Sequence, residues 1–202
     1  YSDLVGLPLR DEFPLYRPRA MWPLVLLAFA FVFGACFLSG HVPPIGYLPL
    51  LNPLELSQVF VLLLLARFAT HELERSADAF RVVLALLAFV VLSAAALRGV
   101  HHLGNEAWNI ELLVRPKAHA VLSWTWTIVG AAAMGFGART LVRGAWIAGA
   151  VLLGIVVLKL LLIDMRFLGT LSGIVSVLGV GVLFVALGYF APMPSEESEA
   201  TS

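Results

Sequence analysis

"RGAWIAGAVLLGIVVLKLLLIDMRF", residues 143–167, sets the class of this molecule. Between Arg143 and Lys159 no side chain is charged, and eight of the last eleven residues, Val157–Phe167, are apolar. About 20 apolar residues in a helix cross a hydrocarbon core of roughly 30 Å, and this run is long enough. Its end raises the question of Lys159 and Asp164. On a helix, positions five apart differ by about 140° in direction and about 7.5 Å along the axis. The two do not share a face, so an ion pair within the helix is not expected. One account has Lys159 snorkelling to the headgroups while Asp164 ends the helix in water. The other has each held by another helix or outer loop, with Arg98, Glu55, His101, His102 and Glu106 as available partners. A charge retained a turn inside lipid needs a partner or a job.

The rest of the chain repeats this pattern. Of its 202 residues, 60% are hydrophobic and 13% charged, and the mean hydropathy is +0.94. A soluble domain carries roughly 25% charged residues. The expected class is all-α, a polytopic transmembrane bundle of about six helices. A β-barrel would need short alternating segments, which are missing. The net charge is zero and no basic run stands out, so nucleic acid is not an expected partner. The single cysteine, Cys36, lies inside an apolar run and makes no intrachain disulfide. The sequence opens on Tyr1. The run from Trp22 to Leu38 is too long for a signal-peptide core, so it is expected to be a spanning helix of a longer chain.

The spans are expected at 21–39, 53–70, 79–98, 117–138, 144–164 and 169–190. Residues 1–20 would form a pre-membrane segment, 21–190 the bundle and 191–202, "APMPSEESEATS", a disordered acidic tail. "NPLE" at 52–55 places Asn52 at a helix N-cap, Pro53 at the first position and Glu55 on the positive end of the dipole. Asp78 is the expected cap of the third helix, and Pro116 precedes the fourth.

Basic residues in short loops set orientation. One side holds Arg10, Arg17, Arg19, Arg67, Arg75, Arg81, Arg139 and Arg143; the other holds Arg98, Arg115, Lys117 and Arg166, with Lys159 nearby. The first side is expected to be cytoplasmic, with both termini of the segment inside. The outer side then gathers the long connections 40–52 and 99–116 and the loop after the fifth helix. The cytoplasmic "HELERSAD" at 71–78 reads as a solvated, charge-paired connection.

The outer side also gathers the candidate site. "RGVHHLGNEAW" supplies Arg98, His101, His102, Glu106 and Trp108. Histidine titrates near neutral pH and serves acid–base chemistry or metal binding. Adjacent histidines point about 100° apart on a helix, so they make a poor metal pair, and no metal or other cofactor is expected. His101, His102 and Glu106 are the acid–base candidates; Arg98, Glu55, Lys159, Asp164 and Arg166 are the ligand-binding candidates. "HVPPIGYLPLLNP" has four prolines in thirteen residues and is expected as a rigid loop over the outer mouth. Small residues in 123–139 and 144–154, with Ser172, Ser176 and Gly179, read as helix-packing stripes. No phosphate-binding loop, H-E-x-x-H, nucleophile elbow or zinc cysteine pattern occurs.

"GYLPLLNPLEL", "RGVHHLGNEAWN", "LSWTWTIVGAAAMGFGAR" and above all "RGAWIAGAVLLGIVVLKLLLIDM" with "GTLSGIVSVLGVGVLFVALGYFAP" form an ordered series. The series resembles the C-terminal part of the bacterial membrane proteins of domain of unknown function 2339, from about Gly46 to Pro192. The resemblance implies a longer parent with more spans upstream, and a bacterial inner membrane. It also implies that Lys159, Leu161 and Asp164 match a pattern resembling K-x-F-x-x-D, with leucine replacing the aromatic. Gly173 and Val177 stand where the family favours arginine and phenylalanine, so Arg166 is the expected substitute partner of Asp164. The family implies no settled activity.

Three functions follow. A structural or complex-associated envelope protein fits the packing stripes and the missing catalytic motifs. Its partners would be membrane lipids, upstream helices of its own chain or a membrane complex. An outer-face enzyme or carrier for a lipid-linked or glycan substrate would use arginine for phosphate and histidine or carboxylate for proton transfer. A transporter or channel segment needs polar groups at mid-depth, and here these are serines and threonines without a mid-helix carboxylate.

Overall fold

In the computed structural model of the chain, residues 13–41, 46–49, 51–72, 77–163 and 171–190 are described. They form six α-helices: α1 (Phe13–Ala35), α2 (Pro53–Glu72), α3 (Ala77–Gly104), α4 (Pro116–Thr140), α5 (Arg143–Leu162) and α6 (Leu171–Phe190). A short 3-10 helix, Ile110–Val114, precedes α4. No strand occurs among the described residues. The fold is an all-α transmembrane bundle. The described parts of α2, α3, α4 and α5 are long and apolar enough to span, and α1 contributes the shorter apolar stretch Met21–Ala35. Only 22–28% of each spanning window is buried. Leucines such as Leu26, Leu63, Leu86 and Leu162 are at least 60% exposed, a surface that suits lipid and that a soluble monomer avoids.

The boundaries differ from expectation at α1 and α3. α1 begins at Phe13, inside the segment expected to precede the membrane. α3 continues past Arg98 to Gly104 and takes both histidines with it. Arg98 breaks the hydropathy of the run but not the helix, because arginine is a good helix former. The stop comes at Asn105, whose φ of 51° is left-handed, a conformation asparagine adopts more readily than most residues. Asp78 lies within the first turn of α3, not before it, and pairs with Arg81 at 3.0 Å in an exposed position. Asn52 does cap α2: its side chain accepts from Leu54 N–H at 2.9 Å.

The chain divides into two compact units, Tyr1–Ala95 and Ala96–Ser202. In the first, α1 and α2 run side by side. Val25, Leu65, Phe68, Ala69 and Phe80 form one cluster, and Val32, Cys36, Leu87, Val91 and Ala94 a second.

In the second unit α4 packs on both α5 and α6. The turn between α4 and α5 is two residues, Leu141 and Val142, with Leu141 left-handed at φ 59°. So short a turn makes the two helices antiparallel neighbours. Their contact is a heptad seam. The buried residues of α4 include Ser123, Thr127, Gly130, Met134 and Gly137; those of α5 include Gly149, Leu153, Val156 and Leu160. Steps of four and three keep one face on a partner helix. At the seam a Cβ on Gly149 would lie 2.6 Å from the Gly130 carbonyl oxygen and 2.7 Å from the Met134 nitrogen. Only glycine lets the backbones come this close, the usual device of helix association in lipid. Gly179 of α6 meets the Trp124 ring in the same way. Gly144 and Gly154 have nothing within 4 Å and are not part of a seam.

Candidate functional site

Two groups of polar side chains lie inside the helices, one in each unit. In the first unit, Asn52, Glu55 and Gln58 recur every third residue and so share a face of α2. All three are buried, Gln58 completely. Asn52 donates to the Gly40 carbonyl at 2.6 Å. The Glu55 carboxylate accepts from the Tyr47 hydroxyl at 2.7 Å. The same hydroxyl lies 3.4 Å from the Ala95 carbonyl of α3. Gln58 donates to the Val32 carbonyl at 3.0 Å and lies 3.4 Å from the Cys36 sulfur, both on α1 or its end. Each bond leaves α2 for another segment. Tyr47 comes from the proline-rich connection expected as a cover, although residues 42–45 fall outside the described part.

In the second unit, Lys159 is buried in the last turn of α5. Its ammonium donates to the Ser123 hydroxyl at 2.7 Å and to the His119 carbonyl at 3.2 Å, both on α4. Snorkelling is therefore set aside: the cation turns inward to the neighbouring helix. Thr127 continues the line and donates to the Ser123 carbonyl at 2.5 Å. A serine hydroxyl on a lysine amine is the geometry of one class of activated nucleophile. Ser123, however, has no exposed surface. The cluster binds α5 to α4. His119, Ser123 and Thr127 lie four residues apart on one face of α4, a polar spacing that the reading of 123–139 as a small-residue stripe passed over.

Arg98 is the largest completely buried side chain among the described residues. His101 and His102, one turn on, are half-buried, with ring centroids 4.4 Å apart; His101 also lies 5.7 Å from Trp108. The His101 Nδ1 is 2.5 Å from the Glu106 carbonyl. A carbonyl only accepts, so the proton sits on Nδ1. The Glu106 carboxylate accepts from Lys117 at 3.0 Å, with Arg115 at 3.9 Å. The Lys117 bond, aided by both charges, holds the Glu106 carboxyl below its ordinary value despite some desolvation. The structure thus gathers His101, His102, Glu106 and Trp108 at one helix end, with Lys117 beside them. Glu55 belongs to the other unit. Asp164 and Arg166 lie outside the described residues, as does the acidic tail. The side chains of Ser172 and Ser176 are likewise not described. Among the described residues, no three His, Cys, Asp or Glu side chains converge as a metal site would require.

A family model for predicted membrane proteins, DUF2339, matches residues 10–194. The chain belongs to this family. The match to DUF2339 takes in all six helices and both polar clusters. No curated protein and no solved structure matches the chain. DUF2339 membership states a membrane protein and assigns no chemistry.

Proposed function

We propose that the chain is a structural, complex-associated body of a bacterial inner membrane, multi-pass, with both ends of this segment cytoplasmic. One observation carries the reading: polar groups inside the helices are spent on neighbouring segments. Lys159 reaches Ser123 and His119 across the α4–α5 seam. Gln58 reaches Val32, and Asn52 reaches Gly40. In the second unit, helices also meet at glycine. A bundle built this way holds shape in lipid, where packing and interhelical hydrogen bonds replace the hydrophobic effect. Arginines at the facing ends of α2 and α3 (Arg67, Arg81) and of α4 and α5 (Arg139, Arg143) favour the cytoplasm for that side. The bundle's partners are membrane lipids and further helices, of its own longer chain or of a complex. The test is assembly of the full-length protein in mild detergent. Gly149→Leu is expected to break it, while His102→Ala leaves it intact. Normal assembly of Gly149→Leu contradicts the proposal.

A second reading rests on the end of α3. His101 beside Trp108, with Glu106 held by Lys117, is the arrangement an outer-face site for a lipid-linked or glycan substrate would use. There an aromatic ring carries the sugar and a histidine moves the proton. Loss of a co-purifying lipid-linked sugar in a His101→Ala, Glu106→Gln variant would favour it.

A further inference from the structure

Between α1 and α2 lies a groove of about 990 Å³, lined by Leu24, Leu27 and Phe31 on one wall and Val61, Leu64 and Arg67 on the other, among others. Among the described residues of its lining, Arg67 is the one that is charged. The volume is at the upper end of ordinary ligand pockets, roughly 300–1,000 Å³. Three features say what fills it. First, its rim is apolar and open to the outside, over a floor of buried core residues: Leu24 and Leu27 are more than 60% exposed, while Val25, Leu65 and Phe68 are buried. Second, its length over the described side chains is that of one leaflet. On α1 it runs from Met21 to Phe31, about 15 Å at 1.5 Å per residue, half of a hydrocarbon core of roughly 30 Å. Third, the charge is at one end. α1 and α2 are antiparallel, since Val32 meets Gln58 while Val25 packs with Leu65 and Phe68. Arg67 therefore lies at the end of the groove near Met21, in the last turn of a span that ends at Thr70. In the sequence, Arg17 and Arg19 precede Met21 on α1.

We propose that this groove is a site for one anionic phospholipid, with an acyl chain along the α1–α2 wall and the phosphate at Arg67. An arginine fork suits phosphate oxygens, and basic residues at a membrane surface attract anionic headgroups. The site does not depend on the orientation of the bundle or on the work it does.

The test uses the full-length protein in nanodiscs of phosphatidylcholine with a minor share of phosphatidylglycerol. Retained lipids are counted by native mass spectrometry. The wild type retains phosphatidylglycerol over phosphatidylcholine. Arg67→Gln lowers that preference about fivefold, the share of one basic residue at a membrane surface. Leu27→Trp, which fills the groove from an exposed position, lowers retention of both lipids; Leu24→Trp serves if that variant does not fold. Arg81→Gln, next to Asp78 at the same end of the first unit, changes nothing. Equal preference in the wild type and Arg67→Gln overturns the site. So does an equal fall in Arg81→Gln, which would mean diffuse surface charge. Release of a protein subunit by Leu27→Trp with lipid retention unchanged would make the groove a helix-docking face and overturn it too.

Discussion

Gly149→Ala adds one methyl group where α4 and α5 come closest. Its Cβ would meet the Gly130 oxygen at 2.6 Å, the Met134 nitrogen at 2.7 Å and the Met134 Cγ at 2.8 Å. Carbon contacts are comfortable near 3.5–4.0 Å, so the helices part by roughly 1 Å, and a gap of that size forfeits a quarter to a half of each contact's attraction. Inserting a methyl group into a packed core costs about 1–3 kcal/mol. Alanine for glycine in a helix returns up to about 1 kcal/mol. The net expectation is a loss of about 0–3 kcal/mol against the wild type, and of about 1–3 kcal/mol against a glycine-to-alanine change that gains the same propensity without the packing cost. Gly154→Ala is the matched control, because nothing lies within 4 Å of its Cβ; it gains propensity and pays no packing cost. The assay is reversible unfolding in detergent followed by circular dichroism. Gly149→Ala unfolds earlier than Gly154→Ala, which unfolds with the wild type or later. Equal stability of the two variants refutes the seam.

Three further outcomes follow from the polar clusters. Lys159→Met and Ser123→Ala each destabilise the second unit, and the double variant loses less than the sum, with a coupling of about 1 kcal/mol read from a double-mutant cycle. Asn52→Ala removes both the cap on Leu54 and the bond to Gly40, and lowers stability by about 1–2 kcal/mol in the same unfolding assay. Glu106 carries a pH signature. Its carboxyl is lowered in the fold by Lys117, so it stabilises the α3–α4 connection fully above its ordinary value of 4.5 and loses that contribution as pH falls through the lowered one. An acid titration of Trp108 emission shows this step in the wild type and not in Glu106→Gln.

Sequence alone carried the class of fold a long way. Six apolar runs gave six helices, because a run of that length has few other ways to satisfy its backbone in lipid. The end of α3 was hidden, since hydropathy stops at Arg98 while helical hydrogen bonding does not. The cap at Asn52 was readable because capping is local. The partner of Lys159 was not. The outer-side histidines and carboxylates were the chemically obvious choices, whereas the bonds go to a serine and a carbonyl on α4. Ser123 looked like one more small residue in a packing stripe, and only the pairing of α4 with α5 reveals that its hydroxyl faces the amine. The same holds for Gly149 and Gly154, alike in sequence context and unlike in surroundings. Which of two glycines meets a neighbour depends on the phase of each helix about its axis. A nearly uniform apolar composition leaves that phase unmarked.

We propose that the polar groups of this bundle hold its helices together and are not used on a substrate. Mass spectrometry of the small molecules that co-purify with the full-length protein in mild detergent tests it most directly, beside a His102→Ala, Glu106→Gln variant. The account predicts the same phospholipids in both. A lipid-linked sugar bound to the wild type and missing from the variant would contradict it.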